Sequence, residues 1–354
     1  MNRHEKALMI LHAGTVIPAT PLALDEQGNF DENGQRLLMR YYLNANAGGI
    51  ATAVHTTQFE IRLPQYNLYE TVLKVVKSEI DEYEQKTGKV IVRVAGVCGP
   101  IEQAVSEARL ARSLGYDAVL LSPGGLGDKD EQYLLERARA VASEMPVIGF
   151  YLQEKCGGRI FSYSFWEQMA EIENIVAIKC ASFNRYQTLD VIRAVLLSSR
   201  KDEIALYTGN DDNIVIDLLT KFRFTNKEGQ KVEGGFVGGL LGHWTLWTHK
   251  VVEMFHMLME AKKHDKIDAE LLTLAAEVTD ANAAFFDPAH NFAGCIPGVH
   301  EVLRRQGLMK GTRCLNEHEV LSEGQAEEIA RVSREYPHLT DDEFVKANIE
   351  SWKI

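Results

Sequence analysis

Apolar positions along this chain fall into two alternating patterns. Short β-branched runs punctuate it: GTVIPATP near residue 17, GGIATAV near 50, VIVRVAGV near 92, DAVLLSP near 119, PVIGFYL near 148, IVAIKCA near 177, IALYTGN near 206 and GGFVGGLL near 237. From the third run onward they recur about every 30 residues, and the intervals carry amphipathic helical patterns such as IEQAVSEARLARSLG and EQYLLERARAVASEM. Apolar strands separated by helices predict parallel βαβ units. Eight of them favour an α/β fold of the closed (β/α)8 TIM barrel type over an open doubly wound sheet, because no G-x-G-x-x-G turn follows the first strand.

Beyond residue 242 the strand runs stop, and only helical patterns continue, among them WTLWTHKVVEMFHMLMEAKKHD and GVHEVLRRQG. The expected organisation is a barrel over residues 1–264 and a C-terminal helical extension over residues 265–354. No low-complexity linker divides the two, so the extension is expected to pack on the barrel.

Composition narrows the function without naming it. The 354 residues are 45% hydrophobic and 25% charged, a globular balance, and no run approaches the roughly 18 apolar residues of a membrane span. The apolar patch from Ala7 to Leu11 is too short for a signal segment, so a soluble, cytoplasmic protein is expected. Cys98, Cys156, Cys180, Cys295 and Cys314 are widely spaced without a C-x-x-C pair, which predicts reduced thiols. A formal net charge of -12 argues against a nucleic-acid partner and leaves small molecules open.

In a barrel the chemistry lies at the C-terminal strand ends. Those ends offer His55, Thr56 and Thr57; Tyr151 and Gln153; Lys179; Asn210, Asp211 and Asp212; and the glycine-rich GGLLG. Lys179 stands inside the apolar run IVAIKCA. Burying an unpaired ammonium costs several kcal/mol or drives its pKa down. Strand alternation groups Lys179 with Ala177 and Ala181 on an inward face, with Val176, Ile178 and Cys180 outward. The same reasoning groups Tyr151 with Gly149 and Gln153 and turns it inward, one strand away. A neutral amine there can attack a ketone to form a Schiff base, and a neighbouring phenol can move protons. The plainer alternative pairs Lys179 with Asp211 or Asp212 and makes Tyr151 a core residue. Metal-dependent aldol chemistry would instead assemble Asp211, Asp212, His55 and His243, whose spacing is not diagnostic. His249 and His256 read as solvated or core.

These residues resemble the dihydrodipicolinate synthase / N-acetylneuraminate lyase family of class I aldolases. VAIK at Lys179 is similar to its strand-six V-x-I-K, and FYLQ at Tyr151 to its strand-five Y-N motif, 28 positions earlier. TVIPATPL, AVHTTQFE, YTGNDD, GGFVGGLLG and CIPGVHEVLRRQGLMKG resemble further family segments in the family's order, from residue 14 to about 330. The resemblance implies a barrel with extra C-terminal helices, assembled as a homo-oligomer (dimer or tetramer), acting on a 2-oxo acid without a cofactor or metal. It implies that Lys179 forms the imine, that Tyr151 relays protons, and that Thr56 and Thr57 hold the substrate carboxylate. Leu240 would face the keto acid with its backbone, and Asn210 would lie in the substrate site.

The chain also departs from the family pattern. Cys156 stands where synthases carry an arginine five positions after the tyrosine, with Arg159 as a possible substitute. Gly124 and Gly125 stand where a T-P-Y-Y turn supplies a relay tyrosine, and His55 and Gln58 flank the threonines where glycines are expected. The expectation is therefore a lyase of the Schiff-base type acting on pyruvate or a related 2-oxo acid by reversible aldol cleavage. A keto-deoxy sugar acid dehydratase using the same imine, and a catalytically silent keto-acid-binding barrel, remain as alternatives.

Overall fold

The computed structural model describes residues 1–264 and 266–353. The expected boundary at 264/265 falls on Asp265, outside the described residues. All eight strand runs form: β1 (Val16–Pro18), β2 (Gly49–Thr52), β3 (Val92–Val97), β4 (Ala118–Leu121), β5 (Val147–Leu152), β6 (Ile175–Ala181), β7 (Ala205–Thr208), then, after a hairpin of β8 (Phe222–Thr225) and β9 (Lys231–Gly234), β10 (Gly238–Leu241). The eight barrel strands are parallel in the order β1-β10-β7-β6-β5-β4-β3-β2. A parallel bridge between Ala19 and Ala51 joins β1 to β2, and Thr20 N–H donates to Ala51 O at 2.9 Å. The chain is a (β/α)8 TIM barrel with additional C-terminal helices.

Two apolar layers hold the barrel. Ile17, Val94, Ile148, Ala177, Tyr207 and Leu240 fill the inside, while Val119, Ile178, Cys180 and Leu206 face the surrounding helices. Each strand is therefore covered on both sides, which is why its sequence runs apolar throughout. Polar caps start the helices that follow the site strands: Asp130 accepts from Tyr133 N–H, Ser162 from Phe165 N–H, and Asn184 from Tyr186 and Gln187 N–H.

The helix Arg3–Ala13 closes the N-terminal end of the barrel. It buries Ala7 and Leu11 against the inner layer, and Tyr207 donates its hydroxyl to Leu11 O at 2.6 Å. Of the apolar patch seen near the start of the sequence, Ala7 and Leu11 form the buried face of this plug, while Met9 is exposed. Sequence patterns did not indicate the β8–β9 hairpin, whose strands expose alternate residues around a turn with Gly229 at φ 78°.

After β10 come the helices Thr248–Ala261, Glu270–Phe286, Cys295–Arg305, Gln325–Glu335 and Asp342–Trp352. The last returns to the first βα unit, where Tyr41 donates to Asp341 at 2.7 Å and its ring meets Trp352. Among the described residues no helix is long and apolar enough to cross a membrane.

Candidate active site

A cavity of about 60 Å³ lies at the C-terminal mouth of the barrel. Strand ends supply Thr56, Phe150, Lys179 and Asp211, and the added helices close it with Phe286, Phe292 and Cys295. Lys179 is 8% exposed and is the one lysine or arginine among the described lining residues. Ala177 and Ala181 share its inward face as expected. Gly209, directly after β7, makes room for the side chain, since a Cβ there would lie 2.6 Å from Lys179 Cε.

Burial lowers the pKa of Lys179, and the nearby Asp211 and Cys156 only partly oppose the shift. Among the described residues no ion pair joins Lys179 to a carboxylate. The amine instead lies over the face of Phe150, 4.4 Å from the ring centroid. Asp211 is displaced in the opposite direction: burial raises its carboxyl, against the His243 N–H hydrogen bond and the charge of Lys179. A lowered amine beside a raised carboxyl makes an uncharged pair accessible near neutral pH.

The elements beyond the barrel fix Asp211 in place. Its Oδ1 accepts from His243 N–H at 3.1 Å, and its carbonyl accepts from Asn282 Nδ2 at 2.6 Å. Asn282 Oδ1 accepts from His243 Nδ1, so that nitrogen carries the proton, and burial holds the imidazole neutral by pushing its pKa down to about 4. His55, half-buried in the cavity wall, is likewise pushed down to about 4, first by burial and then by Lys179. Among the described residues no three His, Cys, Asp or Glu side chains form a metal-binding cluster.

The structure overturns the inward orientation of Tyr151. Ile148, Phe150 and Leu152 face the barrel interior, while Tyr151 packs in the helix layer. Its ring stacks on Trp166 at 5.3 Å and meets Phe161 edge-on at 5.4 Å, and its hydroxyl accepts from Phe161 N–H at 3.3 Å. Two physical causes act together. The helix Tyr163–Ala170 and the loop before it provide an aromatic slot outside the sheet, and β6 carries an irregularity at Val176. Val147 pairs with Ile175 but Ile148 pairs with Ala177, so Phe150 becomes the in-register neighbour of Lys179. Val176 consequently packs toward the inner layer, opposite to its expected face.

The other expected residues divide. Thr56 lines the cavity, although its hydroxyl donates to Ala19 O at 2.7 Å. Thr57 lies outside the lining, fully buried, donating to Thr20 O at 2.7 Å and accepting from Val54 N–H. Leu240 is buried in the inner layer, paired in register with Ile17, and is not part of the cavity wall. Asn210 points away, donating to Asp217 at 2.9 Å and accepting from Phe183 N–H at 3.1 Å. Arg159 is engaged elsewhere, bonding Lys129 O with its guanidinium over the Phe161 ring. These last four are held by hydrogen bonds or packing that the linear sequence does not display.

Sequence reasoning missed the phenyl rings. Phe183 and Phe292 line the cavity edge-to-face, 5.7 Å apart, and both hold left-handed backbone, φ 52° and 65°. Such conformations cost about 1–3 kcal/mol each and persist where the surroundings enforce them. Asn210 is part of that enforcement, through its bond to the Phe183 amide. The detectable signal was the SFN sequence directly after β6, where Asn184 caps the next helix.

Comparison with known proteins follows the same lines. Residues 12–220 match the sequence profile of the Dihydrodipicolinate synthetase family. A 4-hydroxy-tetrahydrodipicolinate synthase of Staphylococcus saprophyticus is 28% identical over 199 residues, which are 56% of this chain and 62% of that protein. The match thus spans less than two thirds of that relative. A probable 5-dehydro-4-deoxyglucarate dehydratase of Oceanobacillus iheyensis is 24% identical over 162 residues, covering 46% of this chain and 48% of that protein. In three dimensions, the crystal structure of a dihydrodipicolinate synthase from Oceanobacillus iheyensis superposes with a TM-score of 0.74 at 15% identity, covering 95% of this chain and 99% of the other.

Proposed function

This chain belongs to the dihydrodipicolinate synthetase family, and on that premise we propose that it is a lyase that joins Lys179 to pyruvate or a related 2-oxo acid as a Schiff base and performs reversible aldol cleavage. The observation that carries the reading is the desolvated amine of Lys179, facing a small cavity without an ion-pair partner among the described residues. A neutral amine can attack the C2 carbonyl of the acid, and the protonated imine that follows draws electrons from the C3–C4 bond. Thr56 and neutral His55 border the space in which the carboxylate would sit.

The wall also bears on the second partner. Phe150, Phe183, Phe286 and Phe292 line the cavity that holds the amine, and no arginine does so among the described residues. A small aldehyde with an apolar body matches these rings better than a dicarboxylate or a polyhydroxylated chain, whose hydroxyls would have to share the few polar groups of the wall, His55, Gln153 and Asp211. The dehydratase relative supports a second reading, loss of water from a keto-deoxy acid through the same imine. The phenyl-lined mouth weighs against it.

Borohydride reduction with pyruvate tests the imine. A reduced pyruvyl adduct is expected on the Lys179 peptide, and recovery of unmodified peptide at saturating pyruvate removes the proposal.

A further inference from the structure

Aldol chemistry through an imine needs a group that gives and takes protons beside the reacting carbons. Among the described residues no tyrosine lines this cavity. Gln153 does not titrate, and the Thr56 hydroxyl is donated to Ala19 O. Burial keeps the two wall thiols protonated, with Cys156 pushed up to about 11 and Cys295 raised well above its ordinary value. His55 is held neutral, its pKa about 4, so it is a poor proton donor.

Asp211 remains, and the fold is built to aim it. His243 N–H fixes Oδ1, while Oδ2 makes no hydrogen bond among the described residues. Asn282, from the helix Glu270–Phe286, holds the Asp211 carbonyl, and Thr279 on the same helix holds that of Asp212. The ionisable groups that act on the carboxyl are Lys179, Asp212, Cys156 and Cys295, of which Lys179 is the one cation.

We propose that Asp211 is the general acid–base of this site, taking over the proton transfers that an inward tyrosine would otherwise perform. The inference rests on the Lys179 imine. The neutral amine adds to C2, and the carboxyl of Asp211 protonates the departing hydroxyl; water leaves, giving a protonated imine and a carboxylate. That carboxylate removes a proton from C3, and the C–H electrons flow into the imine to form the enamine. On addition to an aldehyde, the enamine forms the C–C bond while Asp211 returns its proton to the aldehyde oxygen. Cleavage is the reverse. Hydrolysis of the final imine uses one water, restores the amine and leaves Asp211 protonated, so the cycle closes without an oxidant or metal. The buried carboxyl, raised toward neutrality, has the acidity such a shuttle needs.

The test uses the full chain with pyruvate in D2O. Deuterium uptake at C3 is followed by NMR, and borohydride trapping at equilibrium is measured on the same samples. Asp211→Asn is expected to retain the Lys179 adduct while C3 exchange falls by about 100-fold or more. Asp211→Glu is expected to restore part of the exchange with a displaced acid limb of its pH profile, a recovery that a merely structural role would not produce. Exchange in Asp211→Asn within about 3-fold of wild type overturns the assignment. If Asp211→Asn fails to fold, Asp211→Glu decides alone, and an unchanged rate and pH profile overturns it. Failure of wild type to trap pyruvate would instead strike the imine reading itself.

Discussion

Lys179 lies over Phe150, its in-register neighbour on β5, with Nζ 4.4 Å from the ring centroid. The ring thus occupies the ground beside the amine that an inward tyrosine would hold, and Tyr151 stands one residue on and outside the barrel. Phe150→Tyr is expected to place a hydroxyl near the imine and to recover part of the C3 exchange lost in Asp211→Asn. Tyr151→Phe is expected to leave turnover within about twofold of wild type and to cost about 0.5–1.5 kcal/mol of stability, the net worth of one hydrogen bond. Steady-state rates and urea unfolding of the three variants check both outcomes.

The stem of Lys179 depends on a missing side chain. A methyl group on residue 209 would lie 2.6 Å from Lys179 Cε and 2.9 Å from Ala181 Cβ. Gly209→Ala should therefore displace the amine and reduce pyruvate trapping by an order of magnitude or more, while circular dichroism stays native. Trapping at the wild-type level would mean that the lysine reaches its substrate by another path.

Opposite pH signatures are expected from the two partners. Asp211 is raised above its ordinary 3.8, chiefly by burial. The native state then holds more protons than the unfolded chain above pH 3.8, so stability present in acid is lost as pH climbs through the raised value. Lys179 is lowered below 10.5, again chiefly by burial. Between its folded value and 10.5 the unfolded chain binds more protons, and stability rises with pH. Urea unfolding at acid, neutral and alkaline pH should show Asp211→Asn flattening the first trend and Lys179→Met the second. The double variant should be more stable at neutral pH by about 1–4 kcal/mol, as when a buried ionisable pair is replaced by neutral groups.

Aldehyde preference follows from the rings at the mouth. Condensation of pyruvate with benzaldehyde or a short aliphatic aldehyde is expected to exceed that with glyceraldehyde by about tenfold or more in kcat/KM. Phe292→Ala should erode this preference by widening the mouth. A preference for the polyol, measured by product analysis, would favour the dehydratase reading.

How much of this was legible depended on contrast between the two faces of each strand. In β6, small Ala177 and Ala181 oppose bulky Ile178 and Cys180, so the inward phase of Lys179 could be read. In β5, VIGFYL is apolar on both faces, and alternation alone cannot choose its phase. The choice was made by Phe161, Phe165 and Trp166, which cluster around Tyr151 only after folding. The irregularity at Val176 left no mark in composition. Asp211 was visible as a strand-end carboxylate, but its anchors, His243 and Asn282, lie 32 and 71 positions away from it along the chain by their hydrogen-bond partners.

The chain region matched by the family profile ends at residue 220, yet Phe286, Phe292 and Cys295 complete the cavity wall. The wall is thus assembled from both sides of that limit, with Phe150 and Phe183 before it and Phe286 and Phe292 after it. Substitution in the later stretch alone would therefore reshape part of the wall while Lys179 keeps its own surroundings, Phe150 on β5 and Gly209 after β7.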